Sequence, residues 1–427
     1  MKSMIVDLRD AVAADASRFG PKAANQALLG SANLPIPRGF CLDVAAYRKQ
    51  LQSIGLSEAA DKAATEEGVS ARQFASEVRI GLFDNPIAPE ILEPLLAAWQ
   101  ALVEETGART VVRSSALSED LADSTFAGQY ETFLDIETES DFLTAVRACW
   151  AALWSPRALR YMESHDINLA DTAMGLCIQE LIDADSSGGG ISKATDDTAT
   201  LTATRGLGTT IAQGETVPDR YTLDRAGKLL EVEVGRNEHA ASCIHHAGAS
   251  VVRSISEQLS EPCLSPEQAV ELGDLMKRAE TILGVPAEIE WARDQRGFKM
   301  LQARPLASQA SSSADENWSQ YPGLKGQPSG TGWAVGRACV VNCECELSRV
   351  APGDVLVTKV ASPSLSQVLP RVVAVVAELG GSTSHLASLA RERGIPMVLG
   401  VLEATRKIPD GAEIGVDGVI GMVRWQQ

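Results

Sequence analysis

The sequence has little positive charge for its size. Its 427 residues include 38 Lys and Arg against 56 Asp and Glu, which gives a formal net charge of −18 and a pI near 4.8. A chain this acidic is repelled by nucleic acid and by anionic membrane surfaces, although local basic pockets remain compatible with it. The composition therefore argues against nucleic-acid and membrane partners.

Long hydrophobic runs are also missing. No stretch approaches 18 consecutive apolar residues, and residues 1–11 lack the apolar segment of a signal peptide. We therefore expect a cytoplasmic protein. The hydrophobic fraction of 45% is ample for a core, and the length indicates two to four structural units.

The cysteines lack the paired spacing of a zinc ribbon or a small disulfide-rich domain. Eight of them are scattered along the chain. Cys339, Cys343 and Cys345 come nearest to a cluster, but a metal site needs more ligands, and alternation along a strand would place these thiols apart. We interpret His245 and His246 as part of a solvated loop.

A glycine loop before a histidine is the most informative feature. The segment Gly380–His385 reads GGSTSH and lies between two runs rich in β-branched residues. This order predicts a βαβ unit whose helix is opened by His385. The glycines let an anion approach the backbone, Ser382 or Thr383 would cap the helix, and the helix N-terminus favours negative charge. A phosphorylated histidine fits this position, and a core histidine is the structural alternative.

This segment resembles the phosphohistidine swivelling domain of the phosphoenolpyruvate synthase, pyruvate phosphate dikinase and rifampicin phosphotransferase superfamily. Residues 380–400, GGSTSHLASLARERGIPMVLG, carry the likeness, which extends from about Leu324 to Val423. The resemblance implies that His385 carries a phosphoryl group. It also implies that the neighbouring residues form the phosphohistidine loop, namely Gly380, Gly381, Thr383 and Ser384.

A lysine stands at a loop-to-helix junction near the start of the chain. Gly20 and Pro21 break the chain, and residues 23–29 favour a helix, so Lys22 falls at the junction. Lys22 is interpreted either as a cation for nucleotide phosphates or as a solvated surface lysine. The segment resembles the superfamily's Gly-Gly-Lys-Gly turn, with two glycines replaced.

An arginine follows a predicted strand in residues 109–136. The guanidinium of Arg113 would hold phosphate oxygens in two-pronged fashion, or it would pair with Glu119 or Asp120 in an ordinary ion pair. This segment closely resembles the superfamily's VRSSA, EDL and FAGQ motifs.

A second cluster of polar residues lies between residues 288 and 306. Alternation places Glu288 and Glu290 on one face of a strand, and Gln302 and Arg304 on one face of the next. A hairpin would bring the two pairs together. Carboxylate and amide oxygens suit Mg²⁺, and a solvated hairpin face is the alternative.

The superfamily resemblance covers these segments and implies an ATP site with Mg²⁺ held by Glu290 and Gln302. Gln179 would hold the adenine, and Ser187–Gly190 is more typical of a turn than of a phosphate site. The implied ATP-binding residues are Lys22, Arg113, Gly128, Thr132, Gln179, Glu288, Glu290, Gln302 and Arg304.

Two further segments predict scaffold elements. Ser265-Pro266-Glu267-Gln268 has the pattern of a capped helix start, and the helix should run to about Gly284. The apolar residues of Ala148–Met162 fit one buried helical face.

We predict an α/β and α+β multidomain fold. A two-lobed ATP-grasp-like module would occupy residues 1–306, a flexible linker 307–323, and a small α/β swivelling phosphohistidine domain 324–427. The linker expectation rests on SQASSSADEN, residues 308–317. The superfamily's phosphoenolpyruvate/pyruvate barrel and antibiotic-binding domain are not expected, because neither matches a segment up to Gln427.

The resemblance implies a phosphotransferase that cleaves Mg-ATP to AMP and phosphate through a phosphohistidine and passes the phosphoryl group to an unidentified small-molecule acceptor. Two other classes stay open. One is a phosphocarrier that delivers the group to a partner subunit, and the other is an ATP-driven condensing enzyme.

Overall fold

A computed structural model of the chain describes residues 3–119, 126, 130, 132–194, 197–236, 261–307, 318 and 320–426. Gly128, the pair His245–His246 and the predicted linker sequence 308–317 lie outside the described residues. The chain forms two compact units. The first comprises Met1–Asp183, Ile282–Gly284 and Gly297–Pro305, and the second comprises Ala184–Thr281, Val285–Arg296 and Leu306–Gln427.

The α-helices are labelled in chain order: α1 (Ala16–Ser31), α2 (Val44–Ser53), α3 (Ser57–Thr65), α4 (Gly68–Asp84), α5 (Pro89–Thr106), α6 (Glu139–Ala152), α7 (Pro156–Ser164), α8 (Thr209–Ala212), α9 (Pro266–Leu283), α10 (His385–Glu392) and α11 (Ala404–Lys407). Short 3-10 turns lie at Ala11–Ala14, Leu169–Asp171, Glu344–Arg349 and Pro363–Gln367.

The strands are β1 (Ile5–Asp7), β2 (Gly39–Leu42), β3 (Thr110–Ala116), β4 (Thr132–Ile136), β5 (Met174–Glu180), β6 (Ser186–Ile191), β7 (Ala199–Arg205), β8 (Asp219–Leu223), β9 (Leu229–Glu233), β10 (Ala287–Asp294), β11 (Gly297–Pro305), β12 (Gly323–Lys325), β13 (Gln327–Pro328), β14 (Trp333–Val341), β15 (Asp354–Thr358), β16 (Ala374–Ala377), β17 (Met397–Leu399), β18 (Glu413–Asp417) and β19 (Met422–Trp425).

The first unit is built on an antiparallel sheet with the order β1-β2-β5-β3-β4. Strand β5 is buried along its whole length. Helix α5 turns Ile91, Leu95 and Trp99 inward, at the spacing of one helical face. Trp99 stacks on Phe142 of α6 with ring centroids 5.0 Å apart, and its indole N–H donates to Thr110 Oγ1 over 2.9 Å. This packing fixes the sheet that carries Arg113 and Gln179.

The second unit contains two sheets. One includes the antiparallel order β10-β6-β7-β8-β9, and the other has the order β12-β19-β18-β14-β15-β16-β17-β13. In the second sheet β14, β15, β16 and β17 pair in parallel, and their central valines are fully buried. Helix α10 connects β16 to β17, so the predicted βαβ unit is confirmed. With one antiparallel sheet and one partly parallel sheet, the predicted α/β and α+β multidomain class is also confirmed.

The glycine-rich run Ser187–Gly190 is a strand, and its interpretation as a turn is wrong. These residues lie inside β6, between β10 and β7. A Cβ on Gly188 would lie 1.9 Å from the carbonyl oxygen of Thr202, and one on Gly190 would lie 2.8 Å from Met276 Sδ. The glycines are therefore required by close neighbours and not by a change in chain direction.

Residues 148–162 form two helices instead of the single helical face that the spacing predicts. Helix α6 ends at Ala152, and Pro156 is the first residue of α7. Ser155 caps α7, because its hydroxyl accepts a hydrogen bond from Ala158 N over 3.2 Å. Proline at the first helical position starts the new helix without the loss of a hydrogen bond.

The predicted start of α9 is confirmed. Ser265 N donates to the side-chain oxygen of Gln268, and Gln268 N donates to Ser265 Oγ, at 2.9 and 3.3 Å. This reciprocal pair satisfies two N–H groups at the helix start. Among the described residues, none of the helices has the length and apolar character needed to cross a membrane.

Candidate functional site

Lys22 lies where α1 restarts after a break. Gly20 has φ 78° and ψ 156°, which is not helical, and Pro21 follows it. A Cβ on Gly20 would lie 2.2 Å from the carbonyl oxygen of Ser115. Only glycine permits this approach, and Ala23 N then donates to Ser115 Oγ over 3.0 Å. The break thus fixes the start of the helix against the end of β3.

The side chain of Lys22 points inward. It is 11% exposed, and its Nζ lies 2.5 Å from Glu119 Oε1, a carboxylate that is itself 4% exposed. Glu119 Oε2 also accepts a hydrogen bond from Ala116 N. The interpretation of Lys22 as a solvated surface lysine is therefore wrong, and Glu119 is engaged by this lysine.

Arg113 lies in the middle of the same sheet. Its cross-strand neighbours are Thr132 on β4 and Cys177 on β5. The pKa of the Cys177 thiol is lowered, first by a hydrogen bond with Cys41 and then by the positive charges of Arg113 and Lys22, although burial opposes the shift. The charges of Arg113 and Lys22 therefore both act on the buried thiol of Cys177.

Gln179 is fully buried on β5, and neither its amide nitrogen nor its amide oxygen has a hydrogen-bond partner within the described part of the chain. Buried polar groups in proteins are normally paired. A Cβ on Gly39 would lie 3.0 Å from Gln179 Cγ, so the glycine on β2 leaves room for this side chain. An unsatisfied amide of this kind is what a bound polar ligand would satisfy.

Strand β11 carries the buried residues Gln302 and Arg304 in the first unit. It packs on α1, the helix of Lys22, where Gln26 Nε2 donates to the carbonyl oxygen of Met300 over 2.7 Å. The first unit thus contains Lys22, Arg113, Thr132, Gln179, Gln302 and Arg304.

The phosphohistidine loop, residues Gly380–Ser384, lies in the second unit and leads into α10. Gly380 has φ 111°, a conformation that favours glycine. Ser384 is the helix cap, since its hydroxyl accepts from Ala387 N over 3.3 Å. The prediction that Ser382 or Thr383 caps the helix is therefore wrong by one or two residues. His385 is the first residue of α10 and is partly exposed.

The loop is seated on the sheet that contains β6 and β7. Thr383 Oγ1 lies 2.6 Å from Thr202 Oγ1, and a Cβ on Gly189 would lie 2.6 Å from Thr383 Cβ. Gly380 N also donates to the carbonyl oxygen of Thr216 over 3.0 Å. Because Gly189 has no side chain, the loop can lie against the strand.

Glu288 and Glu290 lie on the face of the sheet that holds this loop. Glu290 is directly opposite Gly189 in the register of β10 and β6. Residues directly opposite each other in antiparallel strands project to the same face, and alternation puts Glu288 on that face as well. The face that contacts Thr383 is therefore the face that presents both carboxylates.

Helix α10 pairs with Glu288 through a buried arginine. Arg391 Nη2 lies 3.0 Å from Glu288 Oε1, with side chains 6% and 7% exposed, and Ser388 Oγ donates to the same oxygen over 2.7 Å. Arg391 Nη1 also donates to the carbonyl oxygen of Ser382 over 2.5 Å. Arg391 and Ser388 were not predicted. Their signal is the spacing of Ser384, Ser388 and Arg391 at i, i+4 and i+7 among apolar residues.

Gly128 and a cluster of metal-ligating side chains are not among the groups described above. Gly128 lies among the residues that the structure does not describe. Among the described residues, no group of three or more His, Cys, Asp or Glu side chains could hold a metal ion.

Cys343 and Cys345 form a disulfide with Cα atoms 5.3 Å apart, so the expectation that these two thiols lie apart is wrong.

Two protein families match the sequence. Residues 16–322 match the family described as pyruvate phosphate dikinase, AMP/ATP-binding domain, and residues 350–421 match the PEP-utilising enzyme, mobile domain. The two matches define an ATP-binding protein with a mobile domain. Since the first match covers more than half of the chain, the chain belongs to the pyruvate phosphate dikinase AMP/ATP-binding domain family. The resemblance seen in the sequence motifs is confirmed.

Curated relatives are longer than this chain. A probable phosphoenolpyruvate synthase of Archaeoglobus fulgidus is 31% identical over 96% of this chain and 56% of its own length. The phosphoenolpyruvate synthases of Pyrococcus furiosus and Escherichia coli are 28% and 27% identical, over 96% and 94% of this chain and 57% and 55% of their own lengths. The chain thus spans little more than half the length of these relatives.

Among solved structures, a D-alanine-D-alanine ligase from Coxiella burnetii aligns with 69% of this chain and 49% of its own, at 10% identity. The TM-score is 0.28, and a likeness this weak supports no argument.

The buried ion pair predicts a large effect of Arg391→Ala. Removal of one partner leaves a buried carboxylate unpaired, which costs about 3–5 kcal/mol. We expect the free energy of local opening at α10, measured by amide hydrogen exchange, to fall by that amount. The control Arg406→Ala removes an arginine that is 82% exposed and lies 3.7 Å from Glu403, so it should change the exchange little. Equal small effects in both variants would contradict this account.

The unsatisfied amide of Gln179 predicts a gain in stability for Gln179→Leu. The substitution removes two unpaired polar atoms from the interior, and we expect the free energy of unfolding to rise by about 1–3 kcal/mol in urea titrations. Gln50→Leu is the matched control. Gln50 is equally buried, but it donates to the carbonyl oxygen of Pro86 and accepts from Ala88 N, both over 2.9 Å, so its loss should destabilise the protein. A loss of stability in both variants would refute the prediction.

Proposed function

We propose that this chain is an ATP-dependent phosphotransferase of the dikinase type, which cleaves Mg-ATP to AMP and phosphate through a phosphohistidine on His385. The observation that carries the proposal is the seating of the phosphohistidine loop on the sheet face that presents Glu288 and Glu290. This arrangement is what a histidine needs if it is to receive a phosphoryl group from a nucleotide held at that sheet.

Several side chains would hold the nucleotide. Gln179 would offer its unpaired amide to the adenine, and Thr132 and Gly128 would lie on the loop that covers the nucleotide. The cations Lys22, Arg113 and Arg304 would offset the charge of the phosphates, because a guanidinium or ammonium group in a partly buried site binds phosphate oxygens strongly. The burial of Lys22, and the lowering of the Cys177 pKa to which the charges of Arg113 and Lys22 contribute, support this assignment.

Glu290 and Gln302 would hold Mg²⁺, which supplies charge neutralisation at the nucleotide phosphates when it is bound. Mg²⁺ is usually bound through one or two protein oxygens together with phosphates and water, so a cluster of three acidic side chains is not needed. The side chains of Glu290 and Gln302 offer hard oxygen donors of this kind. Glu288, which contacts α10 in this structure, would take part on the same face.

His385 would act as the nucleophile. Neutral imidazole is available near pH 7, and one ring nitrogen would form a bond to the β-phosphorus while the bond to the bridging oxygen of AMP breaks. Water would then attack the γ-phosphorus, the bond from this phosphorus to the oxygen bridging to the β-phosphorus would break, and inorganic phosphate would depart to leave phosphohistidine on His385. The N-terminus of α10, capped by Ser384, favours the negative charge that this step places on His385.

The charged histidine would deliver its phosphoryl group to a small-molecule acceptor. The relatives are named phosphoenolpyruvate synthases, but this chain covers little more than half of their length. We therefore leave the acceptor unidentified, and a partner subunit that supplies the acceptor site agrees equally with the proposal. We also propose the domain division 1–306, 307–323 and 324–427, in which the middle segment links the ATP-grasp-like module to the swivelling domain.

The metal assignment predicts a selective effect of Glu290→Ala. The variant should lose one oxygen ligand, and we expect turnover to fall roughly 10²–10³-fold while Mg-dependent nucleotide binding weakens in calorimetry. Glu231→Ala is the matched control, since Glu231 is an exposed glutamate on β9 of the same sheet. Equal losses of turnover in the two folded variants would count against the assignment.

The phosphohistidine proposal is tested directly with ATP labelled in its β-phosphate. The protein should retain label that is acid-labile and base-stable. In a parallel reaction with ATP labelled in its adenosine, the label should appear as AMP. His385→Ala should still bind Mg-ATP and form neither product, because its nucleotide-binding residues remain. His165→Ala removes another partly exposed histidine and should keep full labelling. ADP as the sole nucleotide product, or labelling of the His385→Ala variant, would remove the mechanism.

A further inference from the structure

A cleft in the second unit lies beside the phosphohistidine loop and is not used by the proposed reaction. Its volume is about 530 Å³ including the open mouth. One side is formed by residues that follow β6 and by β8, and the other by the turn after β13 and by Ser382. The cleft is therefore lined by two parts of this unit, residues 184–281 and residues 306–427.

Three residues that line the cleft have polar atoms without hydrogen-bond partners. They are Arg220 Nε, Thr331 Oγ1 and Ser382 Oγ, and none of the three atoms is paired within the described part of the chain. Thr331 and Ser382 are only 3% and 2% exposed. Buried polar groups are nearly always satisfied, so three such atoms around one cleft indicate a ligand that accepts hydrogen bonds. Rotation about χ1 turns either hydroxyl without movement of the backbone.

The charges that line the cleft are positive. Lys193, Arg220 and Arg391 all line it, and no aspartate or glutamate is among its described lining residues. Arg220 Nη1 lies 3.2 Å from Glu233 Oε2, and Lys193 Nζ lies 3.5 Å from Asp197 Oδ1, so the acids contact these cations from outside the cleft. Arg391 is likewise paired, with Glu288 at 3.0 Å. The described lining thus offers cationic and neutral donors and no carboxylate, which suits an anion better than a cation.

We infer that this cleft is a binding site for a small phosphate-bearing anion, either inorganic phosphate or a phosphate monoester. The guanidinium of Arg220 and the hydroxyls of Thr331 and Ser382 would donate to its oxygens, and Lys193 would balance its charge. Since the ligand would contact both sides of the cleft, its binding stabilises the arrangement in which the phosphohistidine loop is seated on the sheet. The inference does not rest on the proposed phosphotransfer activity.

The test is a calorimetric titration of the full chain with inorganic phosphate at constant ionic strength. A nonhydrolysable ATP analogue is present at saturation, so the nucleotide site does not bind the probe. We expect the Kd for phosphate to rise at least tenfold in the double variant Lys193→Ala/Thr331→Val. Lys228→Ala, which removes an exposed lysine on the turn between β8 and β9, should leave the Kd unchanged. The melting temperature without phosphate verifies that each variant is folded.

An unchanged Kd in a folded double variant would overturn the inference, and so would the loss of all phosphate binding when the nucleotide analogue is added. Glycerol 3-phosphate, titrated in the same way, distinguishes the two sources. Tighter binding of the ester would identify a phosphorylated metabolite as the ligand, and tighter binding of inorganic phosphate would identify the free ion. If neither binds to the wild-type chain, the site is refuted. Amide exchange at residues 329–331 should slow when phosphate is bound, because these residues line the cleft.

Discussion

The close approach of Thr383 to Gly189 is the contact on which the second unit depends. Strand β6 carries three consecutive glycines, and a side chain at the middle one would occupy the volume of Thr383. The same loop is held by the hydrogen bond from Gly380 N to the carbonyl oxygen of Thr216, and helix α10 follows it. Glycine costs conformational entropy within a strand, and at Gly189 this cost is offset by the contact with a distant partner.

Electrostatics in this chain is organised locally against an acidic background. Lys22 pairs with Glu119 in the first unit, and Arg391 neutralises Glu288 in the second. Each of these charges is largely withdrawn from water, where screening by salt is weak. A formal charge of −18 therefore says little about the sites themselves.

Local patterns were sufficient to predict elements whose causes are local. The βαβ unit around His385 and the capping box at Ser265 follow from spacing and cap chemistry within a few residues. The glycines of β6 were misread as a turn, because the reasons for them are neighbours on other elements: Thr202 for Gly188, Thr383 for Gly189 and Met276 for Gly190. The pairing of Arg391 with Glu288 was missed for the same reason. The spacing of Ser384, Ser388 and Arg391 marks a polar stripe on α10, but it does not identify Glu288, 103 residues earlier, as the partner.

Helix α10 has His385 in its first turn and Arg391 in its last. Any departure of this helix from β10 separates Arg391 from Glu288, and the carboxylate must then be rehydrated or find another cation. The stability of the contact between α10 and β10 therefore depends in part on a residue about two helical turns away from the histidine. Because about 1.4 kcal/mol corresponds to a tenfold change in an equilibrium, a modest change in this one ion pair would change the stability of that contact severalfold.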